Sequence, residues 1–360
     1  MIQPKSFIYL LLPAFFISLV YTQIPHKKKI EDSAAKVKMI YDHFIYDEGI
    51  KSVSLYPTGY ENHFPIISLA GDQVLQITFD DIPRDIRTLY YSIEQCNADW
   101  KPSRIPIMDY VDGFVEDRIH NAALSENTLI PFTHYHFALP NENTPLKLAG
   151  NYLLKVYEDG NQSNLLFTSR FYVVDHKTEI EAIIQPSAQS SRILHNQKIN
   201  VSLHTSHDLI NPLSTLQIHI FQNQRPYNFK IVKQPSNISS QKIDYNHPST
   251  LDFEGNNEFR TVDLRNVRSA STNVSYLRRD TSSIHAYLVI DQNTSNNNYV
   301  WRADENGRFY SRNLDLDSDK VQSEYIYTHF SLQDSSNIDR DIYLVRGFNN
   351  YKKTPSNKLT

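Results

Sequence analysis

The sequence predicts an all-β protein made of tandem antiparallel β-sandwich domains. Three observations carry that prediction. Apolar, β-branched and aromatic runs of strand length recur along the chain, clusters of turn formers separate them, and a single segment has helical spacing. The 23 Tyr and 18 Phe supply bulky residues of high strand propensity. Only nine of 360 residues are Gly, too few for a doubly wound nucleotide-binding fold, which needs glycines at its phosphate turns.

Residues 34–48 (AAKVKMIYDHFIYDE) are the one helical candidate, crowded with aromatic and β-branched side chains. Strands are then predicted over 52–56, 73–79 and 89–93, bounded by Pro57-Thr58-Gly59, Gly71-Asp72 and Asp80-Asp81-Ile82-Pro83. The pattern resumes over 135–139, 152–157 and 167–174, with Glu158-Asp159-Gly160-Asn161 as a hairpin turn. Residues 42–175 form a first sandwich domain, and Asp175-His176-Lys177 reads as a linker. A second domain over 176–320 has strands at 180–184, 198–204, 216–221, 228–231, 258–264 and 283–290. Its loops are rich in Asn, as at 293–298, and Asn tolerates the left-handed backbone that scarce glycines would otherwise provide. Two more strands lie within 323–332 and 341–345. Two strands and a polar tail bury too little surface to fold alone. Residues 321–360 therefore either dock on the second domain or begin a third, truncated sandwich.

The first 24 residues, MIQPKSFIYLLLPAFFISLVYTQI, place Lys5 before an apolar run that ends at Tyr21-Thr22-Gln23. The run is short for a membrane span and contains Pro13, so 1–22 reads as a cleaved signal peptide, followed by a linker over 23–41. With no Cys near its end, a lipoprotein anchor is excluded. One cysteine, Cys96, allows no intrachain disulfide and no Cys-based zinc site. An exported protein with a lone Cys fits a bacterial periplasm. The formal charge of −4 and the lack of a basic stripe argue against nucleic acid as a partner.

The residues carry no familiar catalytic signature. No G-x-S-x-G, P-loop, H-E-x-x-H or G-x-G-x-x-G occurs. His134 and His136 share a strand face, yet lack an evident third ligand, and read as packing or hydrogen-bonding residues. His204 and His207 are weaker still. Asp315, Asp317 and Asp319 imitate a calcium loop, but Lys320 stands where its Gly belongs and Ile326 where its closing Glu belongs. Asp80-Asp81 and Asp109/Asp112 are carboxylate pairs that more often cap turns than hydrolyse bonds. The expectation is no enzyme, no cofactor, no metal and no small-molecule substrate. Trp100, Tyr110, Phe114 and Tyr135 lie in or beside the long 94–136 connection; stiff aromatics there serve either as partner contacts or as a cover for the core.

Several blocks are similar to the plug proteins of the bacterial type IX secretion system. They are YD at 46–47, IKSV at 50–53, LYPTG at 55–59, FDD at 79–81 and YSIEQCNADW at 91–100. DYVDGF at 109–114, PFTHY at 131–135, LPNE at 139–142 and GNYLLKVYEDG at 150–160 follow, with GNNEFR at 255–260 and ENGRF at 305–309 in the second domain. The resemblance spans roughly 42–345. The run IYLVRGFNNY at 342–351 resembles the start of an immunoglobulin-like, early-set sandwich, with Arg346 where a small residue is usual and Tyr351 where Trp is usual. The resemblance implies a non-enzymatic role. Such a protein would be a monomeric subunit of the translocon at the inner face of the outer membrane, sealing the periplasmic mouth of its large barrel. The alternative, drawn from the sandwich reading and the 342–351 segment, is a carbohydrate-binding module.

Overall fold

The computed structural model describes residues 38–61, 63–82, 85–205, 209–225, 228–255, 259–292, 307–309, 313, 320–333, 341–349 and 351–359. Segment 1–22, expected to be a signal peptide, most of the expected 23–41 linker, His207 and Asp315, Asp317 and Asp319 lie outside them. Among the described residues, no helix is long and apolar enough to cross a membrane.

Two sheets make the first domain. One has the order β1 (Phe44–Ile45), β10 (Leu165–Val174), β9 (Gly150–Glu158), β5 (Leu89–Cys96), β6 (Glu116–Arg118), and β3 (Ile66–Ser68) adds to β10 in parallel. The other has the order β2 (Ile50–Pro57), β4 (Leu75–Asp81), β8 (Thr133–Leu139), β7 (Asn121–Leu124). Their inner faces meet in one core. Leu75, Ile77 and Phe79 of β4 and Tyr135, Phe137 and Leu139 of β8 come from one side; Tyr91, Tyr152, Leu154, Val156, Phe167 and Phe171 come from the other. Alternation sets this division, because successive side chains of a strand point to opposite faces. Each buried aromatic or aliphatic side chain contributes about 1.5–3 kcal/mol.

The rim is closed by charge. Arg87 donates through Nε and Nη2 to both Glu158 carboxylate oxygens at 2.9 Å, and through Nη1 to Asp81 at 3.0 Å and Asp47 at 3.1 Å. One guanidinium thus ties the turn before β2, the end of β4 and the end of β9. Its pKa is raised by those carboxylates, Glu158 foremost, against the opposing effect of burial.

The 34–48 helix does not form within its described part. Residues 44–45 pair with Phe167 and Thr168 instead, and the Thr168 hydroxyl donates to the carbonyls of Ile40 and Asp42. An open sheet edge outcompetes a weak helical preference. A short helix, α1 (Ile107–Tyr110), falls in the 94–136 connection.

After residues 175–177 the chain enters β11 (Thr178–Pro186) and β12 (Asn196–Thr205), which pair along their length. The hairpin β13 (Ile218–Phe221) and β14 (Phe229–Val232) comes next, then β15 (Asn237–Ile238), β16 (Lys242–Tyr245) and β17 (Asp252–Glu254). β16 and β17 both pair with β12, and Val201, Leu203, Ile218, Val232, Ile243, Tyr245 and Leu251 form the core. β18 (Val274–Arg279) and β19 (Ile284–Leu288) form a further hairpin, and β20 (Asp291–Gln292) follows. No strand covers the described residues 259–264, contrary to expectation.

The described strands after residue 320 pair with strands of the second domain. β21 (Ile326–His329) joins β19 in parallel, and β22 (Leu332–Gln333) joins β20. Just before β21 the chain returns to the first domain. Glu126 N donates to Val321 O at 3.0 Å, Leu129 N donates to the Glu324 carboxylate at 3.0 Å, and the Tyr325 ring packs edge-on against Phe132. Farther on, Tyr343 bridges to Lys358, and Lys352 reaches Asp42 at 3.2 Å.

Candidate functional site

The four aromatic candidates have different fates. Tyr135 is fully buried, stacked on Phe79 at 5.1 Å, and its hydroxyl accepts from Arg87 N at 2.8 Å. Tyr110 is 5% exposed and meets Tyr152 edge-on at 5.9 Å. Neither ring can touch a partner, so both are core residues rather than contact anchors. Position 135 points inward by strand alternation, and α1 lays Tyr110 over the sheet.

Phe114 differs. It is 62% exposed, with exposed Val115 beside it and exposed Met108 on α1. Its backbone is nevertheless pinned: Phe114 N donates to Asn143 O at 2.8 Å, and Asp112 N donates to Pro145 O at 2.9 Å. Gly113 makes this approach possible, since at φ +146° a side chain would collide with the Asn143 carbonyl. An apolar tip on a fixed backbone loses little entropy on contact, as an anchor should.

Trp100 sits on a tight turn at φ +61°, with its N–H donating to Asn97 O at 3.0 Å. Its ring meets Tyr172 edge-on at 5.3 Å and carries the Arg170 guanidinium 4.3 Å above its centroid. It lines a cavity of about 460 Å³ between the first domain and the β13–β14 hairpin. Phe64 stacks on Tyr172 at 5.1 Å and reaches Phe221 at 5.7 Å, so aromatic rings from both sides form the wall. The polar lining includes His43, Asp42, Asp99, His219 and Arg170. Burial pushes the His43 imidazole down to about 4, while Asp42 opposes the shift and Lys352 adds to it. Burial also lowers His219 and raises Tyr172 to about 12. Arg170 is already engaged, its Nε donating to Tyr41 O at 2.8 Å and its guanidinium lying 3.5 Å from Asp42. The other acidic residue of the lining, Asp99, is paired with Lys101 at 2.7 Å. Ser169 Oγ lies 3.0 Å from His43 Nδ1, a spacing that nucleophile–base pairs share, but Ser169 is only 4% exposed. The contact fastens 41–45 to β10.

The remaining polar candidates are structural. His134 Nδ1 lies 2.6 Å from Asp80, and His136 is lowered by burial and then by His134. His204 is 3.3 Å from Glu181. Asp81 faces Arg87, whereas Asp109 and Asp112 are exposed. Among the described residues, no group of three or more His, Cys, Asp or Glu side chains forms a metal cage. Cys96 is buried and free, its thiol pushed up to about 11 chiefly by burial. Sequence reasoning missed Phe64, Tyr172 and Phe221. Their only signal is the packing of the hairpin on the first domain, which no local pattern encodes.

Comparison with known proteins adds the family. Residues 50–175 match the model of the type 9 secretion system plug protein 1st domain. Comparison with curated proteins gives no match. Among solved structures, a hypothetical protein from Parabacteroides merdae ATCC 43184 is similar at a TM-score of 0.84 and 24% identity. The likeness covers 89% of this chain and 81% of that one, and shows the fold alone. The matched residues begin with β2 and end at the linker after β10, and so contain the pinned Phe114 tip, Trp100 and Arg87 with its partners Asp81 and Glu158, but not Asp47. It is this first domain, residues 50–175, that is similar to the first domain of type 9 secretion system plug proteins.

Proposed function

We propose that the chain is a non-enzymatic periplasmic accessory subunit of the type IX secretion translocon that sterically occludes the periplasmic opening of its outer-membrane barrel. The family match of the first domain carries this reading. A wide aqueous barrel leaks unless a stiff body covers it, and a close-packed double-sheet domain is stiff. A cover that must lift again needs a moderate interface with a few anchors and a polar rim. Phe114, Val115 and Met108 supply the anchors in this proposal, and the exposed Asp109 and Asp112 supply polar rim beside them.

Gentle solubilisation of outer membranes and capture of the tagged protein tests the proposal. Recovery of the large barrel supports it; capture without the barrel overturns it. A deletion strain is expected to admit large solutes that its parent excludes. Turnover of a substrate by the purified protein would overturn the non-enzymatic reading.

A further inference from the structure

Among the described residues, β11 is the longest open sheet edge: it pairs with β12 on one side and with no strand on the other. Its register runs from Thr178 opposite Thr205 to Pro186 opposite Gln197 without an irregularity. Other edges are shorter or broken. β15 has two residues, β18 has six with a shifted register, and β2 is irregular between Lys51 and Ser54. Both faces of β11 meet solvent, with Ile180 and Ile184 each 67% exposed and Ile183 52%. Ile180, Ala182 and Ile184 stand opposite Leu203, Val201 and Ile199, so they carry the core face of the sheet beyond its cover. Hydrogen bonds around β12 fix which backbone groups of β11 point out. Ile199 N donates to Leu251 O at 3.0 Å and Thr205 N to Gln241 O at 3.1 Å, both away from β11, whereas Ser187 N donates to Asn196 O at 3.2 Å. Alternate residues of an antiparallel pair turn both backbone groups to the same side. The outward set is therefore Thr178, Ile180, Ala182 and Ile184, closed by Pro186, which has no N–H to leave unpaired there. From Thr178 to Gln185 no Lys, Pro or bulge blunts the edge.

We propose that β11 pairs with β11 of a second copy of this chain, antiparallel about a two-fold axis through Ala182. In that register Ala182 faces Ala182 of the second copy, Ile180 faces Ile184, and Thr178 faces Pro186. Every outward N–H then meets an outward C=O, and Pro186, which offers only a carbonyl, stands where the ladder ends. Neighbouring registers are worse. Centring on Glu181 sets that carboxylate against its own copy, and centring on Ile183 leaves Thr178 beyond the end of the partner strand. In the favoured register Glu179 falls opposite Gln185 and Glu181 opposite Ile183, so no like charges oppose each other directly. Glu181 is moreover held by His204 at 3.3 Å, within its own copy. Ile180 and Ile184 of the two copies form one apolar stripe with the alanines between them. The edge is about 30 Å long and its side chains about 10 Å deep, so the pairing covers less than the roughly 1,200 Å² at which stable complexes begin. The dimer is therefore weak and forms at high local concentration. It departs from the monomeric subunit that the family resemblance implies, and it does not rest on the secretion role, since β11 lies outside residues 50–175.

Sedimentation of the full chain from micromolar to near-millimolar concentration tests the proposal. A weight-average mass that climbs towards that of two chains is expected. Ala182→Lys sets a cation against its own copy and is expected to weaken association about tenfold or more. Its thermal melt should match the parent's, because position 182 is exposed. Oxidation of cysteine variants reads the register separately. With Ala182→Cys the two Cα atoms stand about 5.5 Å apart, within reach of a disulfide between copies. With Glu179→Cys the two positions are about 20 Å apart along the strands and stay unlinked. Cys96 is buried and takes no part. A mass that stays at one chain throughout, as an edge reserved for another polypeptide would give, overturns the proposal. So does association of Ala182→Lys as tight as the parent's. Equal crosslinking at 179 and 182 overturns it as well, and decides the matter even where Ala182→Lys fails to fold.

Discussion

Tyr325 donates its phenolic proton to Asp80 at 2.6 Å, joining a residue just ahead of the second domain's edge strand to the end of β4 in the first. Asp80 is also held by His134 at 2.6 Å, and the Tyr325 hydroxyl lies 2.9 Å from Ser52 Oγ. Ser52 has φ +52° at an irregularity in the β2–β4 ladder, which turns its side chain to this spot. Burial and Asp80 raise the Tyr325 pKa. Tyr325→Phe keeps the ring on Phe132 but removes a hydrogen bond to a carboxylate. A loss of about 1.5–3 kcal/mol is expected, read as a lower urea midpoint. An unchanged midpoint would show that the returning segment contributes little through this contact.

Arg87→Met takes the cation away from Asp81, Asp47 and Glu158 at once. Breaking such a buried cluster from one side costs about 3–5 kcal/mol. Arg87→Lys keeps the charge but not the paired bonds to Glu158, and is expected to recover only part of the loss. Denaturant unfolding of the two variants checks both the size and the order.

His43 has a folded pKa of about 4 against an ordinary 6.5. Between these values the unfolded chain takes up the proton more readily than the folded one. This contribution is therefore complete above pH 6.5 and is lost as the pH falls towards 4. His136 and His219 are shifted in the same direction. Stability is expected to decline on acidification through that window, with His43 contributing at most about 3 kcal/mol. His43→Asn should flatten the profile; an equally steep decline in the variant would contradict the assignment.

Phe114 and Tyr135 separate surface from core. Tyr135→Ala removes a stacked, fully buried ring and is expected to cost about 3–5 kcal/mol. Phe114→Ala is expected to change stability by no more than about 0.5 kcal/mol while weakening co-purification of the barrel. Thermal melts and the capture experiment read the two effects apart. Full barrel recovery with Phe114→Ala would move the contact elsewhere on the surface.

Much of the first domain was legible because its strands alternate strictly. In β8, Thr133, Tyr135, Phe137 and Leu139 point inward, and the sequence writes that period plainly. β18 escaped notice, since Ser275, Tyr276, Arg278 and Arg279 give it a largely exposed, polar face with no apolar period. In the 94–136 connection there is no period to use, so Tyr110 and Phe114 looked alike; only the packing of α1 and the Gly113 turn separate them. His285 and His329 are 44 positions apart in the chain and meet through a parallel pairing that local pattern does not announce.

The Tyr325–Asp80 contact spans 245 positions. A ribosome extends the N-terminal sandwich first, and closing so long a loop is slow. Until the distant tyrosine arrives, the patch around Asp80 and Phe132 stays open to solvent, and the first domain alone lacks this part of its cover.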